Sequence, residues 1–269
     1  MRAIVLTYAA LVGACVGSFL NVCITRWPEK LSVIRPRSRC PRCEKPIAWY
    51  DNIPVISWLV LRGKCRGCGL PISPLYPAVE LFVSLIWLAC VWRFGATFFA
   101  LRLAIFATLL TGVAVTDLRT YTIPDGFTIT GFLFLLVTSF AALFISGNQF
   151  PFAGPFDALI GACTGAGAIA IVGWLGEAAL KKEAMGFGDV TLMAFIGAAV
   201  GPELALLTVF VGAAIGAVVF VGIVVPIIKV RHRELPQVPF GVFLAPAALV
   251  TLLYGRRMVD AYFTYLAGN

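Results

Sequence analysis

The chain carries only 13 Asp and Glu among 269 residues. An acid beside an apolar run is therefore a candidate functional group. Asp117 ends one such run, in Val115-Thr116-Asp117-Leu118-Arg119. Asp125 follows in Ile123-Pro124-Asp125. Asp189 closes Met185-Gly186-Phe187-Gly188-Asp189, just ahead of a further apolar run. Two carboxylates in one small site do not both ionise readily, so such a pair holds one proton between them. That is the equipment of aspartic proteolysis: the ionised group activates a water and the protonated one polarises the scissile carbonyl. Gly186 and Gly188 would allow close approach of an extended substrate. Each acid also has a plainer reading. Asp125 and Asp189 could be helix N-caps. Asp117 ends a helix, where the dipole disfavours an anion, so its plainer reading is an ion pair with a nearby base such as Arg119.

The second constellation is Cys40-Pro41-Arg42-Cys43 and Cys65-Arg66-Gly67-Cys68, with 21 residues between the pairs. Two Cys-x-x-Cys knuckles supply four thiolates, a closed tetrahedral set for structural zinc. Catalytic zinc is not expected, since no coordination position is left open. Two disulfides or four free thiols are the alternatives, and a reducing compartment disfavours the disulfides. Each knuckle is followed by a Pro-Ile step, Pro46-Ile47 and Pro71-Ile72, which predicts two similar turns facing each other. Cys15, Cys23, Cys90 and Cys163 lie in apolar runs and read as small buried hydrophobes.

The elements that position these groups are membrane helices. The chain is 60% hydrophobic and 13% charged, with mean hydropathy +0.94. Soluble domains hold roughly 25% charged residues, so an ordinary soluble fold and a disordered chain are both excluded. The apolar runs are too long for barrel strands. We read eight spans: Ala3 to Ile24, Leu75 to Trp92, Thr97 to Val115, Phe127 to Ile145, Phe156 to Leu175, a short one from Val190 to Gly201, Leu204 to Val225, and Val238 to Tyr254. The first is too long and lacks the small-residue cleavage site of a signal peptide. Residues 26–74 hold ten basic and three acidic residues, a net of +7 out of the chain's +8. The remaining excess of Lys and Arg falls on the same side: Arg119, Lys181-Lys182, and Lys229, Arg231 and Arg233. That side is expected to be cytoplasmic. Arg256-Arg257 opposes the rule. Gly161/Gly165 and Gly212/Gly216 read as helix-packing seams. No repeat is evident.

The ordered motifs resemble those of the type IV prepilin peptidases, membrane Gly-x-Gly-Asp aspartyl proteases. The matching blocks are Gly17-Ser18-Phe19-Leu20-Asn21-Val22, Arg39-Cys40-Pro41-Arg42-Cys43, Trp49-Tyr50-Asp51-Asn52-Ile53-Pro54, Arg62-Gly63-Lys64-Cys65-Arg66-Gly67-Cys68 and Tyr76-Pro77-Ala78-Val79-Glu80. Asp117 with Ile123-Pro124-Asp125, Gly186-Phe187-Gly188-Asp189 and Pro239-Phe240-Gly241-Val242-Phe243-Leu244-Ala245 complete the set. The resemblance implies Asp117 and Asp189 as the catalytic pair and Asp125 as a non-catalytic acid. It implies cleavage of a short basic leader after glycine, then methylation of the new N-terminal amine using S-adenosylmethionine. The cysteine loop accompanies the second activity in that family, and Gly63 falls at a glycine tied to it. Two departures stand out. Val190-Thr191-Leu192 replaces the usual lysine after the second aspartate, and Val242 replaces a usual proline. No Gly-x-Gly-x-x-Gly places the methyl donor.

The expected organisation is therefore an all-α polytopic protein with a zinc-ribbon-like insert: residues 1–25 the first span, 26–74 the cysteine loop, 75–269 the peptidase core. It is expected in the bacterial inner membrane with its active site facing the cytoplasm. Expected partners are a prepilin or pseudopilin and anionic lipid headgroups, with no nucleic acid. Glu80, at the start of the second span, is a candidate partner for the leader or the new amine. The competing readings are a peptidase alone, a membrane anchor with a basic zinc ribbon, and a transporter using the acids as ion sites.

Overall fold

The computed structural model describes residues 1–145, 151–181, 185–225 and 239–268. Lys182, Lys229, Arg231, Arg233 and Val238, used above for topology, lie outside the described residues. The chain divides into two compact units, Met1–Gly112 and Val113–Asn269.

The fold is all-α, with no strand among the described residues. Among the described residues, seven helices are long and apolar enough to cross a bilayer, and an eighth is shorter. Apolar solvent cannot satisfy backbone N–H and C=O groups, so each crossing segment must close its hydrogen bonds internally as a helix.

The first unit holds α1 (Arg2–Arg26), a 3₁₀ turn (Trp49–Asn52), α2 (Ile56–Val60), α3 (Leu75–Phe94) and the start of α4 (Phe98–Thr120). Helices α1 and α3 form the main contact of this unit. A methyl group added at Gly17 would lie 2.8 Å from the Glu80 Cα, so the backbones meet at van der Waals range. Polar side chains fasten the seam. Ser84 Oγ donates to the Ala10 carbonyl at 2.8 Å, and Asn21 Nδ2 to the Tyr76 carbonyl at 2.9 Å.

The second unit holds the end of α4, α5 (Asp125–Ile145), α6 (Pro155–Leu180), α7 (Phe187–Val200), α8 (Pro202–Val219) continuing as a π turn (Phe220–Val224), and α9 (Gly241–Leu266). Proline opens α6 and α8, where its missing N–H has no intrahelical partner to lose. The expected short sixth span is α7, 14 residues starting inside the glycine-rich turn. At 1.5 Å per residue it reaches only about 21 Å, less than a hydrocarbon core of about 30 Å. Its length is tolerable because neighbours cover it. It packs against α5, α6, α8 and α9, and residues 192 to 193 and 195 to 200 are all buried. The α6–α7 seam is the tightest in the unit. A Cβ at Gly197 would collide with the Gly161 carbonyl, and one at Gly165 with the Met193 carbonyl. Gly212 and Gly216 lie likewise against Leu244 and Phe243 of α9.

The last helix differs from expectation at its end. It continues to Leu266, so Arg256 and Arg257 are helical residues and not part of a terminal loop. A window tuned to unbroken hydrophobicity stops at charged residues that a helix simply carries on one face.

Candidate functional sites in the two units

Of the four cysteines in the spans, Cys23 and Cys90 are buried as expected, whereas Cys15 and Cys163 lie on outer helix faces and are exposed. The other four gather as their spacing predicts. The Sγ atoms of Cys40, Cys43, Cys65 and Cys68 all lie within 4.8 Å of one another. Cys40 and Cys68 are 3.9 Å apart. Four thiolates at about 2.3 Å from one tetrahedral zinc would stand roughly 3.8 Å apart, so the set fits the ion. The second knuckle repeats the first bond for bond. Cys40 N–H donates to the Lys45 carbonyl and Cys65 N–H to that of Leu70; Glu44 N–H reaches Cys40 and Gly69 N–H reaches Cys65; Ile47 N–H reaches Ser38 and Ile72 N–H reaches Gly63. Glu44 and Gly69 both take positive φ, 56° and 70°. The internal repeat is one of backbone geometry, and the paired Pro-Ile steps are the side-chain identities that pointed to it. The backbone amides of Cys43 and Arg42 hold the Cys40 thiol down at about 6. At Cys68 the Leu70 amide acts the same way, but desolvation and the three neighbouring thiols outweigh it and push the thiol up to about 11. Without a metal the cluster therefore ionises first at Cys40.

Around the knuckles the segment is held by a few polar contacts. Arg66 grips Asp51 with two bonds, Nε to Oδ2 at 2.8 Å and Nη2 to Oδ1 at 2.7 Å, and lies over the Tyr50 ring. Gly63 has φ +67°, and a Cβ there would meet the Trp58 ring at 2.9 Å. Glu80 is buried, and its Oε2 accepts from the Val55 N–H at 2.7 Å. Val55 itself has φ 61°, a strained position for a β-branched residue. Glu80 thus ties α3 to the loop.

The aspartates come together in the second unit. Asp117 lies in the last turn of α4 and is 4% exposed. Its Oδ2 is buried with no hydrogen-bond partner. It forms no ion pair with Arg119, which is exposed, so the plainer reading of Asp117 does not hold. The amides of Gly241 and Val242, at the start of α9, face its carboxylate. Asp189 is within electrostatic range of Asp117. It is not the N-cap of α7; Gly186 holds that position, and Asp189 sits in the first turn with its carboxylate facing the Gly186 amide. That is where an N3 acid reaches back in a capping box. Asp125 is the first residue of α5 and is exposed.

Ile123 is the physical link between these groups. Its side chain fills the space that a Cβ at Gly188 or at Gly241 would need, each about 3.0 Å away. A Cβ at Gly241 would also come within 2.9 Å of Asp117 Oδ2. Helices α4, α7 and α9 therefore converge on Ile123 and Asp117 only because residues 188 and 241 lack side chains. Neither Ile123 nor Gly241 was picked out as a site residue from sequence. The signal was present only as apolar neighbours inside longer motifs.

Two family models match the chain: the bacterial peptidase A24 N-terminal domain over residues 11–94, and the type IV leader peptidase family over residues 103–221. A prepilin leader peptidase/N-methyltransferase of Xanthomonas campestris is 34% identical over 96% of this chain and 94% of its own length. The chain belongs to this family. The Pseudomonas aeruginosa member is 31% identical over 95% of this chain and 92% of its own. The Myxococcus xanthus member is 43% identical over 70% of this chain, a match that spans 54% of that protein. No solved structure matches. Family membership accounts for a multi-pass membrane protein in which a cysteine segment precedes the two aspartate motifs.

Proposed function

We propose that this protein cleaves the short basic leader of a type IV prepilin or pseudopilin after glycine, and methylates the new N-terminal residue. Its placement is the bacterial inner membrane, with residues 26–74 and the catalytic aspartates on the cytoplasmic face. The supporting observation is the convergence of Asp117 and Asp189: two carboxylates from α4 and α7, one of them buried with an orphaned oxygen. A buried acceptor without a partner is costly unless a water or substrate completes it.

The pair shares one proton. The ionised carboxylate takes a proton from water, whose oxygen attacks the carbonyl carbon of the leader's glycine. The protonated carboxylate donates to the carbonyl oxygen. Collapse of the tetrahedral diol breaks the C–N bond, and the amine leaves with a proton from the dyad. Gly186 keeps the approach open, Gly188 makes room for Ile123, Pro124 leads into α5 at Asp125, and Asp125 takes no part in the chemistry.

The division of labour follows the motifs: 1–25 as the first span, 26–74 as the region associated with methyl transfer, 75–269 as the peptidase core. Cys40, Cys43, Cys65 and Cys68 would hold a structural zinc that staples a segment too small for its own core. Methyl transfer draws on S-adenosylmethionine as donor, with Gly63 and Glu80 shaping the donor region through Trp58 and Val55. Anionic headgroups complement the basic loop, and no nucleic-acid partner is invoked. The test is leader cleavage by Asp117→Asn and Asp189→Asn proteins with unchanged helix content. Loss of cleavage in both is expected; wild-type cleavage by either overturns the dyad.

A further inference from the structure

The first unit contains a cleft lined by neither the aspartates nor the four clustered cysteines. Its volume is about 400 Å³, within the usual range for small-ligand sites. One wall is the end of α1, from Ser18 to Arg26, and the other is the turn leading to Ser38, with Asn52 beside it. Arg26 fastens that turn to the helix, donating to the Ser32 carbonyl at 2.9 Å and to the Pro36 carbonyl at 2.8 Å. Arg37 also lines the cleft and has no ion pair or hydrogen bond among the described residues. No Asp or Glu lines it. Two guanidinium groups with the Ser18 and Ser38 hydroxyls and the Asn52 amide, and no counter-anion, make the chemistry of a phosphate site.

A second groove, of about 530 Å³, adjoins the cleft and shares Cys15 and Phe19 with it. It runs along α1 away from Arg26, past Val16, Val12 and Leu11 to Tyr8, and is almost wholly apolar. From residue 19 to residue 8 the helix rises about 16 Å. That is close to half of a hydrocarbon core of about 30 Å. The turn also presents Ile34, 81% exposed, which suits a segment resting in the membrane interface and not one facing water.

We propose that cleft and groove together hold one anionic phospholipid, with its phosphodiester at Arg26 and Arg37 and an acyl chain along Tyr8 to Phe19. A basic pocket at the end of a spanning helix is the recurrent form of such sites. A lipid fits better than a soluble phosphate because the apolar groove continues from the cationic end without a break. The inference needs only that α1 spans the bilayer, so it stands or falls apart from the peptidase and methyltransferase readings.

Native mass spectrometry of the full-length protein in detergent tests it, with phosphatidylglycerol and phosphatidylcholine of identical chains offered together. Wild type is expected to retain one phosphatidylglycerol with at least about five-fold preference. Arg37→Ala should remove that preference, and Arg37→Lys and Arg93→Ala should keep it. Glycerol 3-phosphate in excess should not displace the lipid. Equal retention of both lipids by wild type, an unchanged preference in Arg37→Ala, or loss of it in Arg37→Lys overturns the proposal. Displacement by glycerol 3-phosphate also overturns it, in favour of a soluble phosphate.

Discussion

The two units build their candidate sites in opposite ways. In the first, four ligands come from one contiguous segment, and each knuckle closes its own backbone bonds within a few residues. In the second, Asp117, Ile123, Gly188, Asp189 and Gly241 arrive from four helices or their approaches. A locally closed site depends on its turns and on the metal. An assembled one depends on every seam that sets the helices' heights, including glycine contacts far from the carboxylates. The difference implies separable failure: damage to the knuckles should leave proteolysis standing, and damage to the helix seams should leave metal binding standing.

The sharpest break is at the dyad. Asp117→Asn and Asp189→Asn should each lower leader cleavage by about 10³-fold. The double variant should be little worse than either single, because the two groups act as one unit. Zinc content should not change, as plasma emission analysis of the purified proteins would show. Next comes Gly241→Ala. Its Cβ would press on Asp117 Oδ2 and Ile123, and a shift of about 1 Å at the reacting groups costs roughly 10²-fold. Cleavage kinetics check this, and a rate within about twofold of wild type would remove the Gly241 contact from the account.

In the first unit, Cys40→Ser should abolish stoichiometric zinc and expose residues 26–74 to limited proteolysis, while leader cleavage persists. If cleavage falls with the metal, the two sites are not separable. The smallest effect concerns pH. Arg66 holds the Asp51 carboxyl below the ordinary carboxylate range, through its hydrogen bonds first and its charge second. This contribution is complete above the ordinary value near pH 4. It is lost as the pH falls through Asp51's lowered value. Arg66→Gln should therefore weaken protease resistance of the loop at pH 7 and narrow its difference from wild type under acid. An equal difference at both pH values would show that the pair contributes by packing alone.

How much of this was legible in the sequence follows the same division. Cys40, Cys43, Cys65 and Cys68 were readable because ligand spacing is a local property, and the paired Pro-Ile steps already pointed to matching turns. The spans were readable because lipid demands continuous apolar helices, and even the short α7 was anticipated, although its start was placed at Val190 and the helix begins at Phe187. Ile123 and Gly241 were not, since their roles exist only where α4, α7 and α9 meet. Glu80 was read as a candidate partner for the leader or the new amine. It is a buried anchor for Val55, a role that rests on a strained backbone angle no composition reveals. Arg256 and Arg257 were placed past the last span for a related reason: charge marks where hydrophobicity stops, not where a helix does.

The most direct test of separable chemistry uses one variant and two substrates. Asp189→Asn protein is given an intact prepilin and, in parallel, a pre-cleaved pilin with labelled S-adenosylmethionine. The account predicts no cleavage of the first and methyl transfer to the second within about twofold of wild type. Loss of both activities in a protein that keeps its zinc and its helix content would contradict it.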